Sequence, residues 1–484
     1  MWRDIFIIFL VIQPLHTVQA LSLAKRDRAA VVALDVSRNH VSDPVARDIR
    51  RKRSSTVSQT LNNEETLYYC NITLGTPAQS LRLTLDTGSS DLWCNTPNST
   101  LCSSKSDQCA SAGTYDPTSS SSYKYLSSNF NISYVDGTGA AGDYVTDTLT
   151  IAGATVSSFQ FGVGYSSSSN VGVLGIGYTS DEFQVSRDGE AAYANLPLEL
   201  VNRGLINSNA YSLWLNDLDS NTGSILFGGV DSGKYIGELK TLPIQKEYGD
   251  YAEFLIIMTG VALQTNSGDH SYSSDELPAT VLLDSGTSLT YLPDNIVKDI
   301  YNDLGVVYES STGTGYVPCS MMNENINITY TFTSPSIPVG ISELVVEDGS
   351  GLTFNDGTPV CVFGIAPAGD STATLGDTFL RSAYVVYDLA NNEISLAPTR
   401  FNSTEENILE ITNGISAVPG ATAVANPVTT AATGTGAVWT VSATSVTSAS
   451  KSGTSRSMVS HVPGHFALGA AGAGLLLALY SYRY

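Results

Sequence analysis

The residues best equipped for chemistry are two aspartates in matching surroundings. Leu83-Thr84-Leu85-Asp86-Thr87-Gly88-Ser89-Ser90 is echoed by Val281-Leu282-Leu283-Asp284-Ser285-Gly286-Thr287-Ser288. In each copy an apolar run stops at Asp, a hydroxyl residue and Gly. This puts a carboxylate at a tight turn where backbone N–H groups can point at it, and glycine removes the obstruction of a side chain. One such tripeptide is an ordinary turn signal. Two copies 198 residues apart, each behind an apolar strand, form a pair. Carboxyl groups brought to one cleft do not both ionise freely, so they share a proton and suit acid–base work on a water molecule. Competing chemistries lack their parts. Between Ser54 and Gly453 the only histidine is His270, read as a loop residue, and there is no Gly-x-Ser-x-Gly, His-Glu-x-x-His or Cys/His cluster. Neither a serine or cysteine nucleophile nor a metal is expected, and no cofactor is called for.

The elements that must position these carboxylates are strands. Residues 64–400 are rich in Gly, Ser, Thr, Tyr and Val, with short alternating runs at Leu81 to Leu85, Asp143 to Ile151, Ser224 to Phe227 and Ala383 to Val386. Gly, Asn and Asp turns separate them. Helical pattern is confined to Leu198 to Arg203 and Asp294 to Leu304. Each aspartate motif also has a later apolar-Gly partner, Gly172-Val173-Leu174-Gly175-Ile176-Gly177 in the first half and Ala373-Thr374-Leu375-Gly376-Asp377 in the second. The expected fold is mainly β and bilobal, with lobes at 54–210 and 211–400 that each carry one Asp to a shared cleft.

The ends of the chain point to export. Arg3, the apolar run Ile5 to Ile12 and Val18-Gln19-Ala20 have the order of a secretory signal peptide over 1–20, and the run is too short to span a bilayer. Residues 21–53 hold nine Lys or Arg against four Asp and end in Arg50-Arg51-Lys52-Arg53. They read as a removable basic pro-segment cut after Arg53 by a processing protease. From Ser54 to Gly453 there are 41 acidic and 12 basic residues, against a net charge of −22 for the whole chain. Nucleic acid is therefore not an expected partner. Residues 401–452 are dominated by small and hydroxyl residues and read as a glycosylated stalk that cannot bury enough apolar area to fold. Residues 453–484, with a polar spacer and the apolar tail Phe466 to Tyr480, have the layout of a GPI-attachment signal, with attachment at Ser452 or Gly453. A short transmembrane anchor is the alternative reading of that tail.

Cysteines and glycosylation acceptors agree with this compartment. Asn-X-Ser/Thr stands at Asn71, Asn98, Asn131, Asn327 and Asn402. Six Cys lie four in the first half and two in the second, which favours Cys319 with Cys361 and two bridges among the rest. The local pairs Cys70 with Cys94 and Cys102 with Cys109 are the chosen expectation.

Longer motifs carry a resemblance. Leu74-Gly75-Thr76-Pro77-Ala78-Gln79, Asp86-Thr87-Gly88-Ser89-Ser90-Asp91-Leu92-Trp93, Leu226-Phe227-Gly228-Gly229 and Leu375-Gly376-Asp377-Thr378-Phe379-Leu380-Arg381 leading to Val386-Tyr387-Asp388 resemble the pepsin family of aspartic proteases over about 64–400. With the pro-segment, stalk and tail, the chain is similar to the fungal cell-surface yapsins. The resemblance implies that Asp86 and Asp284 are the catalytic pair, that Thr87 and Ser285 lock the two loops together, and that Ser89 and Thr287 support the carboxylates. It also makes Tyr134 and Gly137, in Ile132-Ser133-Tyr134-Val135-Asp136-Gly137-Thr138-Gly139, part of a flap over bound peptide. The second motif has Ser285 where pepsin has threonine, so the hydroxyl is kept and a methyl lost. The implied protein is a monomeric, acid-active endopeptidase at the cell surface, acting on proteins or peptides. Relatives that cut beside Lys or Arg leave basic and apolar cleavage sites both open. A catalytically weak wall-binding protein on the same fold is the other reading.

Overall fold

In the computed structural model the described residues are 30–40 and 66–432, apart from 105–107, 135–137, 187–188, 221, 311 and 348–350. The signal peptide, the cut at Arg53, Gly137, and Ser452 or Gly453 with the tail behind them fall outside these residues.

The molecule is built from strands, as alternating β-branched and aromatic runs broken by turn residues require. Leu81 to Leu85 lies in the strand Gln79–Asp86, Asp143 to Ile151 in Gly139–Ile151, Ser224 to Phe227 in Thr222–Phe227 and Ala383 to Val386 in Ala383–Asp388. The two longer helices are Leu196–Asn202, with Pro197 in its first turn, and Asp294–Leu304, closed by the left-handed Gly305.

A 14-stranded sheet runs through both halves. Its first part contains Thr66–Leu74, Gln79–Asp86, Gly172–Gly175 and Leu92–Asn95 as neighbours, and its last part contains Ala210–Trp214, Ala383–Asp388 and Glu393–Pro398. The second half adds a five-stranded sheet that includes Ala279–Leu283, Ala373–Leu375 and Thr290–Leu292. The internal repeat becomes geometry here. Gln79–Asp86 runs parallel to Gly172–Gly175, and Ala279–Leu283 runs parallel to Ala373–Leu375. In both halves a further strand, Leu92–Asn95 or Thr290–Leu292, meets that partner antiparallel. Each aspartate thus leaves the end of a buried strand flanked by its own apolar-Gly partner.

Three readings of the sequence change. The bridges are Cys102–Cys109 and Cys319–Cys361, whereas Cys70 and Cys94 are free, buried thiols. Cys70 faces Leu83, Leu83 faces Gly172, and the strand of Cys94 lies beyond Gly172–Gly175. Three strand spacings put the two sulfur-bearing residues about 14 Å apart, while a bridge needs Cα atoms within roughly 4.4–6.8 Å. Part of the basic segment is also a sheet element. Val32–His40 pairs antiparallel with Thr222–Phe227 on one side and Thr66–Leu74 on the other. Finally, the folded body extends past 400. Ile408–Glu410 pairs with Gly229–Asp231, and Ala421–Ala423 runs beside Leu239–Pro243. Ile411, Ala417 and Val418 are buried with Trp214 and Tyr384. The stretch has few large side chains, but those few land on an apolar surface that needs only small ones to cover it.

Candidate active site

Asp86 and Asp284 are held by the same set of bonds. Gly88 N donates to Asp86 Oδ1 at 2.8 Å and Ser89 Oγ to Asp86 Oδ2 at 2.6 Å. Gly286 N donates to Asp284 Oδ1 at 2.7 Å, and Thr287 Oγ1 donates to Asp284 Oδ2. Each carboxylate therefore accepts one backbone and one hydroxyl bond on the side facing its own loop, which favours the ionised form and fixes its plane. Asp86 is fully buried and Asp284 nearly so.

The loops meet through glycine. A Cβ added to Gly88 would lie 2.6 Å from both Cγ and Oδ1 of Asp284, so only glycine lets the first loop come this close to the second carboxylate. Thr87 and Ser285 fasten the junction. Thr87 Oγ1 donates to Leu283 O at 3.0 Å and accepts from Ser285 N at 2.9 Å. Ser285 Oγ donates to Leu85 O at 3.0 Å and accepts from Thr87 N at 3.2 Å. The serine makes every bond that a threonine there would make, so the missing methyl costs no hydrogen bond.

The hairpin that holds Tyr134 is closed by Tyr134 N donating to Thr138 O at 2.8 Å. The fully buried Trp93 donates from Nε1 to Tyr134 Oη at 2.6 Å. Trp93 lies seven residues beyond Asp86, so one motif supplies both a carboxylate and the anchor of the hairpin.

Local sequence did not single out the acidic groups beside this site. Asp91 is buried, accepting from Tyr144 Oη at 3.0 Å, Tyr193 Oη at 2.8 Å and Phe183 N at 2.8 Å, and burial holds its carboxyl above the usual range. Glu182 is fully buried; its Oε2 accepts from Tyr193 N at 2.8 Å and its Oε1 has no partner among the described residues. Burial, more than its neighbours Asp91 and Asp181, pushes its carboxyl up to about 9. Asp181 is raised well above its ordinary value by burial and then by Glu253, and burial lifts Glu253 to about 7. Ser180 Oγ donates to Tyr251 O at 2.7 Å, which joins the two loops that carry these acids. Their signal in the sequence was only the distance of Asp181-Glu182 from the Gly-Ile-Gly partner strand, too weak to read without the sheet.

The other residues singled out are dispersed. Asn71, Asn98, Asn131 and Asn402 are exposed and Asn327 is half-buried. Asn402 Nδ2 donates to Asp217 Oδ2 at 3.1 Å. His270 sits on the exposed strand Gly268–Tyr272 against Asp303, rather than in a loop. Among the described residues no group of three or more His, Cys, Asp or Glu could hold a metal ion.

Two interlocked Asp-hydroxyl-Gly loops, one from each half of a bilobal β fold, define an aspartyl protease, and this chain belongs to the eukaryotic aspartyl protease family, whose profile matches residues 67–399. It is 65% identical to the probable aspartic-type endopeptidase opsB of Aspergillus oryzae, over 95% of this chain and 96% of that one. It is 38% identical to the aspartic proteinase yapsin-3 of Saccharomyces cerevisiae, over 72% of this chain and 69% of the other. The crystal structure of the aspartic proteinase from Irpex lacteus superimposes with a TM-score of 0.57 at 20% identity, covering 78% of this chain and all of that one, and so shares the fold.

Proposed function

We propose that the chain is an acid-active aspartic endopeptidase in which Asp86 and Asp284 are the catalytic pair. The observation that carries this reading is the mirrored bonding of the two carboxylates, fixed across the lobes by Thr87 and Ser285. Each carboxylate oxygen takes one bond from its own loop and keeps further acceptor capacity, on which the pair holds a water molecule and meets a peptide carbonyl. The pair holds one proton because both cannot ionise at close range. The ionised member takes a proton from the water as it attacks, the protonated member gives one to the carbonyl oxygen, and a gem-diol forms without an acyl-enzyme. Tyr134, anchored by Trp93, closes over the extended substrate. No cofactor takes part.

The leader, the basic segment and the C-terminal tail support an exported protein, cut after Arg53 and held at the cell surface by a GPI anchor. The two yeast and mould relatives described above support the protease reading by name.

The test is peptide cleavage between pH 3 and 7 by protein secreted without the tail after about Ser450, beside Asp86→Asn and Asp284→Asn and with pepstatin. Loss of cleavage in either variant supports the pair. Full activity in both would sink it.

A further inference from the structure

Beside the hairpin that carries Tyr134, the first lobe has two hollows that share one wall, the ring of Tyr165. The larger, about 720 Å³, is bounded by Asn131, Gly142, Asp143, Tyr165 and Phe183. The smaller, about 310 Å³, is bounded by Pro97, Asn98, Pro117, Tyr123 and the same Tyr165. Both lie within the size range of small-ligand sites, roughly 300–1,000 Å³.

Tyr165 is presented by the backbone rather than left over on the surface. Ala141 pairs with Ser166 and Gly142 with Gly164, so Tyr165 is the extra residue of a β-bulge, a device that turns a side chain out of register. Its ring is 40% exposed, yet its hydroxyl is tied to Asp143 Oδ2 at 3.0 Å, while Ser128 Oγ holds Asp143 Oδ1 at 2.6 Å. The result is a fixed aromatic face beside a carboxylate and a hydroxyl, over a floor that Ala141 and Gly142 keep low. Such a surface offers an apolar plane for the C–H face of a pyranose and polar groups for its hydroxyls.

Both hollows contain the acceptor of a glycosylation sequon, Asn131-Ile132-Ser133 in the larger and Asn98-Ser99-Thr100 in the smaller. Asn131 stands directly across from Ala141, which in turn pairs with Ser166, so its side chain shares the sheet face with the floor of the larger hollow. We propose that this groove cradles the first sugar rings of an N-linked oligosaccharide on Asn131, with Tyr165 as the stacking platform. The sugar then lies across the edge strand Lys124–Ser133, which ends beside Tyr134, and covers part of an otherwise open sheet edge. This rests on export of the chain, not on its protease chemistry.

The experiment uses the full chain secreted from a eukaryotic host that adds high-mannose chains, with glycopeptide mapping and timed release by endoglycosidase H from the native protein. The chain on Asn131 is expected to come off about tenfold more slowly than that on Asn71, and Tyr165→Ser to remove most of that difference. Tyr165→Ser should then lower the melting temperature of the glycosylated protein by more than that of Asn131→Gln, in which it removes only the contacts to the protein such as the Asp143 bond. Equal release rates, or a bare Asn131 beside occupied acceptors elsewhere, would overturn the cradle alone. Bare acceptors throughout would overturn the export reading with it. Soluble glucan or chitin oligosaccharides binding to Asn131→Gln and lost with Tyr165→Ser would reassign the groove to a separate ligand and also overturn the proposal.

Discussion

Thr87 and Ser285 exchange bonds across the lobe junction with the same pattern run in both directions: each hydroxyl donates to a carbonyl one residue before the other lobe's aspartate and accepts from the opposite backbone N–H. Removing one hydroxyl strands two buried backbone groups, Leu85 O and Thr87 N in the case of Ser285→Ala. Each stranded group costs about 1–3 kcal/mol. Urea denaturation should show a loss of about 2–6 kcal/mol for the two together, and peptide cleavage should fall by about a hundredfold as the carboxylates shift. Ser285→Thr should keep both near the parent values.

Stability should fall as pH rises above the acid range, with Glu182 as a main cause. Below about pH 4.5 the carboxyl is protonated in folded and unfolded chains alike, and its contribution is fully present. Above that the unfolded chain releases the proton while the fold retains it up to about 9, so stability declines across this window. The facing groups Asp91, Asp181, Tyr144 and Tyr193 are acidic or phenolic and offer no cation. Glu182→Gln should flatten the slope by one proton, about 1.4 kcal/mol per pH unit. Melting curves from pH 4 to 8 check this, and an unchanged slope would refute it.

Tyr134→Phe leaves the indole N–H of a buried Trp93 without its acceptor. Undocking the hairpin by about 1–3 kcal/mol should lower kcat/KM by tenfold or more. Fluorescence of the indole should shift with it.

Cys70 and Cys94 are predicted to be silent in the native protein. Both are buried, and burial pushes the Cys70 thiol up to about 12 and Cys94 higher still. A thiol reagent should count none per folded chain and two after denaturation without reductant. A count of none in denaturant would mean that they are bridged.

Arg381 and Glu343 form a buried ion pair, with Glu343 Oε1 also accepting from Leu218 N at 3.2 Å. Glu343→Gln removes the main carboxylate partner of the guanidinium, leaving Asp377 and the Glu343 carbonyl, and should cost up to about 3–5 kcal/mol. Replacing both residues with apolar ones should restore much of the loss, which a double-mutant cycle would show.

The two aspartate loops were legible because their work is local: an apolar strand, a hydroxyl and a glycine must be adjacent in sequence to build the turn. The parallel partners at Gly172–Gly175 and Ala373–Leu375 were legible because the motif occurs twice. Glu182, Asp181 and Glu253 were not, since their importance comes from burial created by strands and loops far away in the chain. Glu343 escaped for the same reason, being 38 residues from Arg381. The bridge expected between Cys70 and Cys94 failed because closeness in sequence says nothing of the two strands inserted between them. The stretch after 400 misled because composition measures how much apolar area a segment has, not whether a complementary surface awaits it.

The placement of Val32–His40 between two other strands bears on maturation. Under the proposed cut after Arg53, the pairing that holds this strand on both sides would survive the nick. Drawing the strand out would open two raw edges in the sheet that joins the lobes. On that reading a nick alone would not free the segment, because the strand would still be held in its slot by two neighbours.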